Sequence, residues 1–172
     1  MLAAFLLPRI LKRLDDRPVM IAGAAVMVAG VACVPLLGSL AALIALWALI
    51  GFGFSLTQTP IGRIINRSAR EADRSAVFAA QFALSHACWL VTYPLAGWVG
   101  AGAGLSTAGL VLAAIGAAAV AAVLRLWPAN DPEAFAHNHD NLPLDHPHIG
   151  GQRKHIHSFV VDENHPRWAA KL

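Results

Sequence analysis

The residues best suited to chemistry are histidines near the carboxyl end of the chain. Seven of its eight histidines lie between positions 137 and 165, where the sequence changes from apolar to polar and proline-containing. Imidazole is a ligand for nickel, cobalt, zinc and copper, and two histidines separated by one residue can reach one ion from an extended chain. Adjacent carboxylates could add oxygen ligands. The predicted metal ligands are His137, His139, Asp140, Asp145, His146, His148, His155, His157 and His165.

This ligand set restricts the identity of the metal only in part. Because the segment contains no cysteine, it favours nickel, cobalt or zinc over Cu(I), although affinity alone does not choose among them. The alternative is a flexible, solvated tail whose histidines titrate at about pH 6.5. The apolar residues Phe159, Val161 and Trp168 argue against a wholly disordered segment. They predict that part of the tail folds back or docks.

A second candidate site is the polar face of a predicted apolar helix over residues 76–97. Polar side chains in hydrocarbon are costly unless they face a cavity or another helix, and here they share one arc opposite alanine and leucine. We interpret the arc as lining a transport pathway; the alternative is that it only joins neighbouring helices. The lone histidine can carry protons, bind a cation or hydrogen-bond another helix. The predicted pathway residues are Gln81, Ser85, His86, Trp89, Thr92 and Tyr93.

The composition indicates an integral membrane protein. Hydrophobic residues make up 57% of the chain and charged residues only 13%, whereas about a quarter of the residues of a soluble domain are charged. The net charge is +3, but the basic residues stand between apolar runs, which argues against a nucleic-acid partner. No nucleotide loop, nucleophile elbow or zinc-protease motif is present, so we do not expect an enzyme.

The apolar runs predict an all-α, polytopic membrane helix bundle. Residues 1–17 are interpreted as the end of a truncated span followed by a basic cytoplasmic loop; the alternative is an interfacial amphipathic helix through Leu14. Residues 128–172 form the histidine-rich tail. Gly23 and Gly30 predict close approach of a neighbouring helix. Within residues 18–127, four complete transmembrane helices are expected at about 19–37, 40–59, 76–97 and 106–126.

A basic loop over residues 60–75 separates the second and third predicted spans. Its arginines recur at spacings of four, three and four, so on one helix they would form a single stripe. This stripe is expected to meet lipid phosphates or acidic groups at the cytoplasmic surface; the alternative is a solvated charged face without a further role. The residues concerned are Arg63, Arg67, Arg70 and Arg74.

The distribution of positive charge predicts the topology. The loop before the first full span and the loop over residues 60–75 each carry four Lys or Arg, and the connections on the other side carry none. By the positive-inside rule, both basic loops and the C-terminal tail lie in the cytoplasm. The expected location is the plasma (inner) membrane.

The basic segment PRILKRLDDRP, the glycine-bearing span ending GFGFSLTQTP, the arginine-rich loop and the two final spans resemble the last third of the major facilitator superfamily. The resemblance covers residues 1–127 and implies that the four spans are the ninth to twelfth of twelve. The sequence departs from the superfamily's loop motif, with Pro8 in its glycine place and Lys12-Arg13 in its acidic-arginine place. The resemblance implies alternating access between two six-helix halves, with a midplane substrate site. An amino-terminal half is then a required partner, from the same gene or a separate chain.

The tail resembles the histidine-rich cytoplasmic tails of nickel- and cobalt-resistance permeases in the same superfamily. The leading hypothesis is a proton-coupled exporter of divalent metal ions with a metal-capturing tail. A second hypothesis is an exporter of small organic compounds, with Trp89 and Tyr93 as stacking groups. A third is a non-transporting membrane anchor for a metal- or partner-binding tail.

Overall fold

The computed structural model describes residues 14–129, 134–140 and 142–165. The truncated span expected before residue 14, and Trp168 of the tail, lie outside the described residues. Five helices are followed by two strands: α1 Asp16–Ala32, α2 Leu40–Gln58, α3 Ile61–Ser68, α4 Arg74–Ala103, α5 Leu105–Leu126, β1 Ala134–Asn138 and β2 Lys154–Ser158.

The predicted helical membrane bundle is confirmed. Among the described residues, three stretches are long and apolar enough to cross a membrane: Leu40–Ser68, Glu71–Ala103 and Leu105–Leu126. The remaining long helix, α1, has 17 residues and so extends about 26 Å, slightly less than a bilayer core of about 30 Å. It ends at Ala32 and not at 37, because Pro35 lacks the N–H that would continue the helix.

Helix α4 is longer than expected. It continues to Ala103 with Pro94 inside it, so the connection expected between the spans at 76–97 and 106–126 shrinks to one residue. That residue is Gly104, whose φ of 86° lies in the region where side chains other than glycine are strained. A single glycine therefore reverses the chain between α4 and α5.

Helix α1 packs between α2 and α5, and glycines permit the close approach to α2. A Cβ at Gly23 would lie 2.6 Å from the carbonyl oxygen of Gly53, and a Cβ at Gly53 would lie 2.7 Å from that of Gly23. The close helix approach predicted from the glycines of α1 is thus confirmed.

The start of α1, helix α3 and the end of α5 meet at one end of the bundle. The Arg63 guanidinium Nε donates to the Asp16 carboxylate at 2.9 Å, and Asp16 is only 3% exposed. At the same end, Arg17 Nε donates to the carbonyl oxygen of Trp127 at 3.0 Å, at the end of α5.

The expected single arginine stripe does not form. Helix α3 ends at Ser68, Ala69 is extended, and a 3-10 turn precedes α4. The Arg63 side chain is directed to Asp16 and Arg67 is buried. Because the helix breaks between them, Arg67 and Arg70 lie on different elements.

The tail folds as an antiparallel hairpin of β1 and β2, with His137 opposite His155 in the register. Three apolar side chains, Ile149, Phe159 and Val161, are buried beside it. The backbone N–H of Val161 donates to the carbonyl oxygen of Arg67 at 2.9 Å. The tail therefore contacts helix α3 at the end of the bundle that carries the basic residues.

Candidate metal centre

Three of the clustered histidines lie on the two strands of the hairpin, and His139 directly follows β1. Alternate residues of a strand share one face, so His137 pairs with His139 at the end of β1, and His155 with His157 on β2. The ligand nitrogens of these four and of His148, in the connecting loop, all lie within 4.8 Å of one another. The strand period and the register therefore bring together histidines about twenty residues apart in sequence.

A sixth histidine, His165, joins the cluster from the segment after β2. Its Nε2 lies 2.9 Å from Nε2 of His137 and 3.1 Å from Nε2 of His139. Nε2 of His148 in turn lies 3.1 Å from that of His139 and 3.3 Å from that of His157. Nε2 of His155 is buried without a hydrogen-bond partner.

The outward-facing nitrogens of three of these rings are held by oxygen acceptors. Nδ1 of His157 lies 2.7 Å from the carbonyl oxygen of Ser158, and Nδ1 of His155 lies 3.2 Å from that of Gln152. Because a carbonyl oxygen only accepts, each Nδ1 must carry the proton, which leaves the Nε2 lone pair of the neutral ring directed inward. These rings are oriented as metal-ligating histidines usually are.

Asp162 performs the same role for His165. Its Oδ1 accepts from Nδ1 of His165 at 2.9 Å and from the backbone N–H groups of His165 and Asn164 at 2.8 and 2.9 Å. Burial alone would raise the pKa of the Asp162 carboxyl, but these hydrogen bonds and the His165 charge bring it below its usual value. A carboxylate behind a histidine is a common outer partner of a metal ligand.

Two histidines of the cluster have lowered pKa values, which favours their neutral form. Burial, and after it the charges that neighbouring histidines would carry, lower the pKa of His139 to about 4. Burial and neighbouring histidines also lower the pKa of His148. Neutral imidazoles whose lone pairs point at one another repel, but the same lone pairs are suitable ligands for a cation.

Three predicted ligands do not reach the cluster among the described residues. Asp140 accepts from the Asn138 side chain on the exposed side of the hairpin, and Asp145 is exposed. His146 directs Nδ1 to the backbone N–H of His148 at 3.3 Å. The turn that carries Asp145 and His146 presents His148 to the cluster and directs these two away from it.

The predicted pathway residues lie along helix α4, and their polar groups bond largely to their own helix. The Ser85 hydroxyl and Nδ1 of His86 both donate to the carbonyl oxygen of Phe82 at 2.8 Å, and the Thr92 hydroxyl donates to that of Cys88 at 3.0 Å. Polar groups that make their hydrogen bonds within their own helix are tolerated in a membrane.

The aromatic members of the arc form a ladder. The ring of His86 lies 4.5 Å from that of Trp89, and Trp89 stacks on Tyr93 with centroids 5.9 Å apart. Trp89 and Tyr93 are exposed in this chain. A separate, apolar groove of ≈ 390 Å³ lies between α1, α2 and α5, and α4 contributes none of its lining.

Comparison with known proteins identifies one family. The family model described as Major Facilitator Superfamily matches residues 1–158. Comparison with curated proteins gave no match, and comparison with solved structures gave none.

Sequence reasoning missed several contacts of the candidate centre. The supporting role of Asp162 was signalled only by its spacing of three from His165, and the carbonyl oxygens of Gln152 and Ser158 leave no mark in a sequence. At the other end of the bundle, the ion pair of Asp16 with Arg63 joins residues 47 positions apart. No local pattern predicts such a pair.

Proposed function

The chain belongs to the major facilitator superfamily, whose members are membrane transporters, and on that premise we propose that it serves proton-coupled efflux of divalent metal ions such as nickel or cobalt. In this proposal the substrate is the metal ion and the tail captures it at the cytoplasmic surface. The protein acts in the plasma (inner) membrane, and an amino-terminal transporter half supplies the rest of the pathway.

One observation carries this proposal: the convergence of six imidazoles in a tail of a transporter-family chain. Imidazole nitrogens suit nickel, cobalt, zinc and copper. Nε2 atoms 2.9 to 3.3 Å apart with inward lone pairs have no favourable arrangement unless a proton or a cation stands between them. The tail is therefore built from ligands for the ions that the transporter would export.

The position of the tail supports a capturing role. It contacts α3 through Val161 and Arg67, at the end of the bundle that holds the start of α1 and the end of α5. The basic residues concentrated at this end favour the cytoplasmic side. Metal held there would be close to an inward-facing entrance.

Helix α4 supplies the proposed route. The pathway residues named above include His86 as the proton-carrying or ion-contacting group, since an intramembrane imidazole can carry a proton or contact a cation. In the same proposal Arg70 and Arg74 of the connecting segment meet lipid phosphates or acidic groups at the cytoplasmic surface.

A metal-accumulation assay tests the proposal. Cells expressing the wild-type protein together with its amino-terminal half in a metal-sensitive host are expected to accumulate less nickel and cobalt than vector controls. The double variant His139→Ala/His148→Ala should lose much of this protection at low external metal, whereas His146→Ala, a tail histidine outside the cluster, should retain it. Equal accumulation in wild-type and vector cells would contradict metal efflux.

The aromatic ladder of α4 favours a second function, export of small organic compounds. Stacked Trp89 and Tyr93 would hold a planar solute, and the tail would then be structural. Deleting residues 130–172 should leave organic-solute export intact in this case, whereas metal export should fall. The two functions are thus separated by one truncation assayed with both substrates.

A further inference from the structure

The ring positions of the six clustered histidines define a coordination geometry. Six rings form fifteen pairs, and twelve of these have centroids 4.7 to 5.1 Å apart. The three pairs outside this range share no member: His137 with His148, His139 with His157, and His155 with His165. An octahedron has twelve edges and three opposite pairs of corners, so the rings occupy its six corners.

The distances between the ligand nitrogens fit the same octahedron. A metal–imidazole distance of about 2.1 Å places neighbouring nitrogens about 3.0 Å apart in an octahedron and about 3.4 Å apart in a tetrahedron. Nε2 of His165 lies 2.9 Å from that of His137 and 3.1 Å from that of His139. Nε2 of His148 lies 3.1 Å from that of His139 and 3.3 Å from that of His157. Three of the four distances lie at the octahedral value.

The centre is closed. His137, His139 and His165 are 8%, 8% and 5% exposed, and all six corners carry protein nitrogens, which leaves no position for water or for an acceptor ligand. Closed sites hold structural ions, whereas sites that exchange or react keep an open position. Zinc in structural sites is almost always four-coordinate, so six nitrogens favour Ni²⁺ or Co²⁺.

The folded tail depends on this centre. An isolated two-stranded hairpin is marginal in water, and a small unit whose described residues bury three apolar side chains needs a further source of stability. A structural metal is a common one, because metal binding supplies folding free energy. Val161, which bonds to the Arg67 carbonyl, lies four residues from ligand His157 and four from ligand His165, so the contact with α3 is fixed on both sides by the centre.

We propose that the tail holds a single resident Ni²⁺ or Co²⁺ ion in a closed, octahedral six-histidine centre, and that this ion orders the tail against helix α3. The inference rests on the metal binding of the proposed function but not on export. In this inference the ion stays bound and orders the tail, because a site whose six coordination positions are all filled by protein nitrogens releases metal slowly.

The test uses the purified full chain in detergent, stripped of metal and titrated with CoCl₂ or NiCl₂. One ion per chain is expected, and the Co²⁺ form should show the weak visible absorption of octahedral cobalt. Removing the sixth ligand by His165→Ala should lower affinity at least tenfold, since loss of an outer-shell partner alone costs about 10- to 100-fold. His146→Ala should bind like wild type.

Hydrogen exchange gives a second readout. Amides of β1, β2 and Val161 should become protected on adding NiCl₂ in wild type and in His146→Ala, but much less in His165→Ala. Unchanged helical circular dichroism of the His165→Ala chain would show that its membrane part is folded, so a loss of binding in that variant is attributable to the missing ligand.

Several results would overturn the inference. Intense visible bands of tetrahedral Co²⁺, two ions per chain, or His165→Ala binding like wild type would each exclude a six-histidine centre. Failure of the proposed function is distinguishable: a chain that loads one octahedral ion but does not lower cellular nickel retains this centre and loses the export role. A chain that exports nickel with an unloaded tail does the reverse.

Discussion

The tail and helix α4 both carry polar residues that the sequence marks as candidate sites, and they differ in what their polar atoms contact. In the tail, histidines from two strands, a loop and the final segment direct Nε2 atoms at a common centre. In α4, Ser85, His86 and Thr92 bond to carbonyl oxygens of their own helix. The contrast separates a site assembled by tertiary structure from a face that is stable without a partner.

The two regions therefore differ in whether they specify a ligand. A cluster whose inward nitrogens present lone pairs to one another needs a cation to be satisfied, so the tail alone specifies a ligand. The α4 face specifies none until another surface covers it. The largest effects of substitution on metal binding are therefore expected in the tail, and the effects in α4 should appear only in transport.

Removing two ligands gives the largest expected effect. The double variant His139→Ala/His148→Ala should lower nickel affinity of the full chain more than about 100-fold, because each ligand contributes more than an outer-shell partner does. His86→Ala in α4 should bind nickel like wild type. Calorimetric titration measures both variants, and equal losses in the two would erase the distinction between the regions.

Acid should release the ion and unfold the tail before it affects the bundle. The pKa of His139 is about 4 in the fold and 6.5 in a free chain, so the unfolded tail binds more protons between these values. The stabilising contribution is complete above pH 6.5 and is lost as the pH falls towards 4. Hydrogen exchange of β1 and β2 across this range should show loss of protection on acidification; greater protection at pH 5 than at pH 7.5 would reverse the sign.

A change in helix packing should act on the bundle alone. Gly23→Ala places a Cβ 2.6 Å from the Gly53 carbonyl oxygen and should destabilise the protein by about 1–3 kcal/mol. Gly51→Ala, where nothing lies within 4 Å, should be neutral or slightly stabilising. Thermal unfolding in detergent compares the pair, and nickel affinity should be unchanged in both; a lowered affinity in Gly23→Ala would show that the tail and the bundle are coupled.

The smallest effect is expected at Ser85. Its hydroxyl donates to the carbonyl oxygen of Phe82 at 2.8 Å and lies 3.4 Å from Nδ1 of His86, so Ser85→Ala should change stability by no more than about 0.5 kcal/mol. If α4 lines the pathway, transport should fall while folding does not. Normal transport in this variant would favour the alternative that the arc only joins helices.

Much of the fold could be predicted from local patterns. The bounds of α2 follow from Ser39, whose side chain accepts from the Ala42 N–H at 3.2 Å, and from the polar residues before Pro60. The end of α1 at Ala32 could have been predicted from Pro35, which cannot continue the helix. Helix α4 passes the expected limit at 97 because the sequence offers no strong break before Gly104 except Pro94, which a long membrane helix tolerates.

The sequence predicts a histidine metal site in the tail, but it does not predict which of the residues belong to it. Composition marked the histidines, and the strand period could have paired His137 with His139 and His155 with His157. It could not exclude His146, because the turn that directs this residue away is held by backbone hydrogen bonds of the loop, such as that from the Ile149 N–H to the His146 carbonyl oxygen. Nor could it predict the Val161 contact with Arg67, which joins residues 94 positions apart.

X-ray absorption at the nickel edge of the loaded full chain tests the central claim most directly. We expect six nitrogen neighbours at about 2.1 Å, with the outer-shell scattering of imidazole rings and without a sulfur or water contribution. A four-coordinate nickel, or a first shell rich in oxygen, would contradict the closed six-histidine centre.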